Sequence, residues 1–379
     1  MILYNKNYIS GKLLIFLIAL MILTLIVSFF IDPGSNYNSY PYLIAFLILF
    51  FSRPNSKISI YLLGIIIYYS VMFDDQHFSS RAGYMLTFSL TCISLYILPY
   101  LTLKDISRNQ INNSLIIICY TIIITYFFTS EVSTDISLSR VYFKGFIIPH
   151  QFVYLMAIFV HYFLLQKKYL LTVLPIIYSV YVGTRTGMIL ILLTLFAYFF
   201  LMFQAKYRKK ILKFIFIILL FIVTLFITEN PIQKQITEVF QLLNPTSLLV
   251  DSESEESTNF TSNRNVLIIA GVTQIRLDGI SPKNFFGRGP RSSYSFIERT
   301  LNWNIWFHND LLEIIFSLGF LNLIIYLKLI ISYCKKTKSK FFFFFIMISA
   351  LTNGFFMYTS FVIIVVHYLT SHEKIRLSN

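Results

Sequence analysis

Long apolar blocks alternate with short polar or basic breaks along this chain, and that alternation constrains the fold more than any other feature. Hydrocarbon offers no partner to a backbone N–H or C=O. An apolar run long enough to cross a bilayer must therefore satisfy its own hydrogen bonds, and a helix does so. The composition agrees: 56% of the 379 residues are hydrophobic and 13% are charged, which no ordinary soluble domain shows. About twelve blocks reach or approach spanning length, at 13–31, 39–52, 58–73, 84–100, 113–129, 146–165, 168–183, 187–204, 211–228, 310–333, 341–356 and 357–370. The stretch 341–370 is broken only by Thr352-Asn353-Gly354 and reads equally as a hairpin or a broken helix. The first is longer than a signal-peptide core and lacks a small-x-small cleavage site, so it reads as an uncleaved span. The expected fold is an all-α integral membrane protein with 10–12 transmembrane helices. Residues 1–228 would hold nine spans, 229–309 one long outer loop with short helices, and 310–379 three more spans and a tail.

Lysine and arginine then set the sides. Basic clusters occupy every second connection: Lys6 and Lys12, Arg53 and Lys57, Lys104 and Arg108, Lys167 and Lys168, Lys206 to Lys213, Lys335 to Lys340, and Lys374 with Arg376. The alternate short connections carry only Arg81, Arg140, Lys144 and Arg185. The positive-inside rule puts both termini in the cytoplasm and the long loop outside. The net charge of +14 thus reads as orientation in a bilayer, not as nucleic-acid binding. Cys92, Cys119 and Cys334 have no metal-ligand spacing and imply no disulfide framework. Richness in Ile, Phe, Tyr, Lys and Asn fits an AT-rich bacterial coding region.

Three outward-facing stretches could carry chemistry. In "VGTRTGMIL", 182–190, Arg185 sits between two apolar blocks. It either snorkels to the interface or binds an anion at a helix start, and Thr184, Thr186 and Gly187 favour the second reading. In 262–293, Arg264 opens a stretch, "NVLIIAGVTQIR", of helical periodicity expected to lie along the membrane face, and Gly287-Arg288-Gly289-Pro290-Arg291 is a turn bearing two guanidiniums. Guanidinium grips phosphate through a planar fork of donors. In "FHNDLLE", 307–313, His308 can accept or hold a proton near neutral pH. Asn309 and Asp310 read as caps of the following helix. Glu313, on an apolar helix, needs a partner, and an arginine from another stretch is the natural one. The acidic patch 251–256 reads as a solvated loop. No nucleotide, metal or nucleophile motif appears, so no cofactor is expected. A substrate reached from outside must bring its own activated leaving group, and a lipid-linked pyrophosphate answers that need.

The order and spacing of these motifs resembles the bacterial O-antigen polymerases and ligases. The resemblance rests on "GTRTG" with Arg185, "TSNRN" with Arg264, "NFFGRGP", and "HNDLLEIIFSLGFLNLIIYL". A further match runs over 140–159, where this chain has Pro149-His150-Gln151 in place of the family's Pro-Asn. The resemblance implies a glycosyltransferase of type C character, at the periplasmic face of the bacterial inner membrane, acting without metal and with inversion. Arg185 and Arg264 would bind and stabilise the leaving pyrophosphate of an undecaprenyl-linked oligosaccharide. His308 would position or deprotonate the acceptor hydroxyl. Arg288, Arg291, Glu313, Asn309 and Arg140 would contact or support substrate. A chain-length regulator protein is the implied partner, besides membrane lipid. Polymerase is favoured over ligase, because AT-rich composition fits a serotype-specific antigen cluster. A flippase is the reading from another class, against which stands the lack of an internal repeat.

Overall fold

The structure, a computed structural model, describes residues 7–31, 78–135, 140–144, 149–182, 184–203, 264–301, 306–352, 354–356 and 360–376. The expected spans 39–52, 58–73 and 211–228 and the acidic patch 251–256 lie outside the described residues. The described chain is overwhelmingly helical, in two units: residues 1–125 with 266–379, and residues 126–265.

The first unit opens with β1 (Asn7–Ser10) and α1 (Gly11–Ile31). α2 (Phe78–Ile97) runs through a 3₁₀ turn into β2 (Leu101–Lys104), which pairs in parallel with β1. These strands, and a second pair in the other unit, are four or five residues long and flank the helices of a chain that is otherwise helical, as expected. α3 (Arg108–Thr129) starts at a capping box. Gln110 N–H donates to Ser107 Oγ at 3.2 Å and Ser107 N–H donates to Gln110 Oε1 at 2.8 Å. Among the described residues α3 is the one helix long and apolar enough to cross a membrane by length and composition; the other apolar helices are shorter.

The described part of the stretch expected to form an outer loop folds as three helices, α4 (Arg264–Asp278), α5 (Pro282–Phe286) and α6 (Ser292–Leu301). α4 covers the periodic segment expected to be helical. The apolar sides of α4 and α6 bury Leu267 and Ile297 against Phe307 and against Leu312 and Phe316 of the following helix, so the loop shares a core with that helix. Then come α7 (Asp310–Leu318), α8 (Phe320–Lys336), α9 (Lys340–Thr352) and α10 (Ser360–Arg376). The single span expected over 310–333 is instead two helices broken at Gly319 (φ +88°). The stretch 341–370 is likewise two helices, the first ending at Thr352 and the second starting at Ser360. Tyr84 and Phe88 of α2 and Tyr326 of α8 pack around Phe356, with ring centroids 5.5 to 6.5 Å apart. Further along, the ring of His367 in α10 stacks on Phe342 at 3.7 Å and bonds Tyr333 Oη and Ser339 Oγ, each at 3.0 Å. A polar ring buried among apolar helices is tolerated because both nitrogens find partners.

In the second unit β3 (Glu131–Asp135) and β4 (Arg140–Lys144) pair antiparallel, and three helices follow: α11 (Pro149–Leu165), α12 (Tyr169–Tyr181) and α13 (Arg185–Phe203). α11 is apolar on every side and is buried along nearly its whole length, as such a helix must be. α13 begins in close contact with it: a Cβ on Gly187 would come within 2.2 Å of Val153 Cγ1. The Tyr169 and Tyr198 hydroxyls meet at 3.0 Å between α12 and α13.

Candidate functional site

Main-chain bonds join the loop to α7 in addition to its side-chain contacts. Arg288 N–H donates to Phe316 O at 3.2 Å and Gly289 N–H to Ser317 O at 3.0 Å. The turn crosses the α7–α8 break, where Gly287 (φ +89°, ψ 169°) faces Gly319 (φ +88°, ψ 165°). That backbone region is open in practice only to glycine. The G-R-G-P-R turn is thus held against the far end of α7, the helix that follows His308 and carries Glu313.

Arg288 is spent on this junction. Its Nη2 donates to Asp278, in a close ion pair, and to Asn284 Oδ1 at 2.9 Å; its Nη1 donates to Phe316 O at 3.2 Å. Its guanidinium also lies 4.0 Å from the centre of the Phe316 ring. Burial pushes the Asp278 carboxyl up, but the hydrogen bond and charge of Arg288 outweigh it and hold the group below its ordinary value. Arg291 is half-buried, with a left-handed backbone (φ +62°), and lies 4.2 Å over the Tyr294 ring. Burial, and then the nearby Glu313 carboxylate, push the Tyr294 phenol up to about 12.

Glu313 is fully buried, and its partners correct the expectation of an arginine. Oε1 accepts hydrogen bonds from the hydroxyls of Tyr84 at 3.1 Å, Ser293 at 2.8 Å and Ser317 at 2.8 Å. One carboxylate oxygen so ties α2, α6 and α7 together. Ser317 stands one turn beyond Glu313 and is legible from sequence spacing; Tyr84 lies 229 residues away and is not.

His308 precedes α7 with a left-handed backbone (φ +52°), half-buried, its ring 4.9 Å from that of the buried Trp306. Asn309 is the N-cap, as its residue type predicts: Oδ1 accepts from Leu312 N–H at 3.0 Å. Its Nδ2 donates to Leu351 O at 3.2 Å, at the end of α9. Asp310 does not cap, contrary to the sequence reading. Its carboxylate turns away and accepts the backbone N–H groups of Phe355 and Phe356.

His308, Asn309, Glu313, Arg288 and Arg291 therefore all lie in one unit, His308 and Asn309 at the start of α7 and Arg288 at its end. Arg185 opens α13 and Arg140 opens β4 in the other unit, and Arg264 opens α4; the side chains of these three lie outside what is described. Beside Arg185, the hydroxyl of buried Thr184 has no hydrogen-bond partner among the described residues.

A family model described as O-antigen ligase matches residues 170–327. The match supports the O-antigen polymerase/ligase family. That family comprises bacterial membrane-associated glycosyltransferase-like enzymes, ligases and polymerases, that act on lipid-linked oligosaccharides. The matched segment is less than half of the chain, yet it holds every candidate residue except Arg140. It also holds both glycines of the Gly287–Gly319 crossing, so the junction is part of what the family match covers. No curated protein and no solved structure matches the chain.

Proposed function

We propose that this protein is an O-antigen polymerase. It joins undecaprenyl-pyrophosphate-linked oligosaccharide repeat units at the periplasmic face of the inner membrane, by inverting, metal-independent glycosyl transfer. The observation that carries the reading is the coincidence of the family match with the outer-loop arginines and His308. The donor carries its own leaving group, so the protein's task is to neutralise the departing pyrophosphate and to ready the acceptor hydroxyl. Arg185 and Arg264 supply positive charge at the leaving group, where one well-placed donor contributes about 3–4 kcal/mol to the transition state. His308 takes the acceptor proton. The half-buried imidazole beside an indole supports this role, since a base must be shielded from bulk water yet reachable.

The family's description favours a second reading, ligation of the glycan to lipid A core. One experiment separates the two. His308→Ala is expressed in a strain deleted for this gene, membrane insertion is verified, and surface polysaccharide is run on a gel. Under the polymerase reading long chains vanish and a single repeat remains on lipid A core. Bare core with accumulating lipid-linked polymer establishes the ligase instead. An unchanged ladder removes His308 from the mechanism.

A further inference from the structure

We propose that Asp310 is a positioning residue for His308; the inference rests on His308 belonging to the site. Three observations carry it. First, His308 holds a left-handed backbone that a non-glycine residue adopts only when its surroundings impose it. Second, the two residues that follow it both reach across to the end of α9 and the turn beyond. Asn309 Nδ2 donates to Leu351 O at 3.2 Å, and Asp310 Oδ2 accepts from Phe355 N–H and, at 2.9 Å, from Phe356 N–H. Third, the turn so held supports the indole on which His308 rests. Gly354 (φ +91°) has no room for a Cβ, which would fall 2.2 Å from the Trp306 ring and 2.7 Å from Asp310 Oδ1.

The parts form a closed frame. Trp306 is wedged over Gly354, His308 lies against Trp306, and Asp310 grips the two residues after Gly354. Asp310, Phe355 and Phe356 are all fully buried, so water does not compete for these bonds. Removing the carboxylate frees Phe355 and Phe356 from α7, loosens the seat of Trp306, and lets His308 leave its left-handed conformation. The imidazole then samples several orientations, and a base misplaced by about 1 Å loses roughly 100-fold in rate. Nothing in this role needs the negative charge: an amide oxygen can accept both N–H groups.

The test uses full-length protein in detergent with Asp310→Ala and Asp310→Asn, each verified as folded by its thermal transition. Two readouts are taken: elongation kinetics with lipid-pyrophosphate-linked repeats, and the rate at which diethyl pyrocarbonate modifies His308, followed by peptide mass spectrometry. Asp310→Ala should lower kcat about 100-fold with little change in acceptor KM, and should speed His308 modification several-fold. Asp310→Asn should restore both to within a few-fold of wild type. A folded Asp310→Ala with unchanged kcat and unchanged modification rate overturns the proposal. So does an Asp310→Asn as impaired as Asp310→Ala, since the charge and not the hydrogen bonds would then matter. If Asp310→Ala does not fold, Asp310→Asn decides alone: near-wild-type modification and kcat support the proposal, and loss of either overturns it. Should wild type fail to elongate any repeat while the modification rates differ as expected, the polymerase reading falls and the positioning role stands.

Discussion

Gly287 and Gly319 touch main chain to main chain. A Cβ on Gly319 would lie 2.4 Å from Phe285 O and 2.5 Å from Gly287 N, and one on Gly287 would lie 2.3 Å from Ser317 O. Backbone cannot swing aside as a side chain can. Gly287→Ala or Gly319→Ala should therefore cost about 3 kcal/mol or more, combining backbone strain with overlap. Gly279 (φ +57°) is the control, because nothing stands within 4 Å of its Cβ position. Gly279→Ala should cost only about 1 kcal/mol. Thermal unfolding of the three purified variants ranks them, and equal transitions would remove the crossing as the anchor of the loop.

The Asp278–Arg288 pair should show itself in the pH dependence of loop stability. The folded carboxyl is held below its ordinary value, so its contribution is full above about pH 4 and disappears as pH falls through the lower folded value. Asp278→Asn should be less stable than wild type at pH 6, by about 1 kcal/mol, with the gap closing toward pH 3. Limited proteolysis between α4 and α6 across that range measures it. A gap that widens in acid would mean that the ion pair is not the stabilising contact.

Glu313 offers one oxygen to three hydroxyls. Glu313→Ala orphans all three in a buried site and should cost about 3 kcal/mol or more. Glu313→Gln keeps an acceptor but weakens every bond to it, at about 1–2 kcal/mol. A double-mutant cycle with Ser293→Ala should give a coupling of about 1 kcal/mol between Glu313 and the loop helix. Strict additivity would show that the Ser293 bond contributes nothing.

Asn309 works through both ends of its amide. Asn309→Asp preserves the cap and loses only the bond to Leu351 O, costing about 1 kcal/mol. Asn309→Ala loses both, at about 2 kcal/mol. Chemical denaturation midpoints distinguish them, and equal loss would reduce Asn309 to a donor to α9.

The sequence disclosed what depends on local pattern. The helix of 264–278 was legible from its periodicity, and the Asn309 cap from its residue type before an apolar run. The stretch around His308 was legible because polar residues at the mouth of an apolar helix demand a reason. Partners distant in the chain were not. Nothing in the local pattern links Tyr84 to Glu313, or Asp310 to Phe355 and Phe356. The break at Gly319 was hidden because its cause lies in the loop: an apolar run with one glycine reads as a continuous helix until another main chain is found against it. By local pattern Arg288 is a guanidinium suited to phosphate, since Asp278 and Asn284 come to it only once α4 and α5 have folded back.

A contact made of two bare backbones has no play in it. Shifting the loop by one residue against α7 would bring Phe286 or Arg288 onto the carbonyls of Ser317 and Leu318, where no side chain fits. The register between loop and helix is thereby locked to a single residue. An insertion within Gly287-Arg288-Gly289 would have to undo the crossing. An insertion scan through 264–301 should thus find its sharpest loss of stability at Gly287-Arg288-Gly289, where one bare backbone meets another.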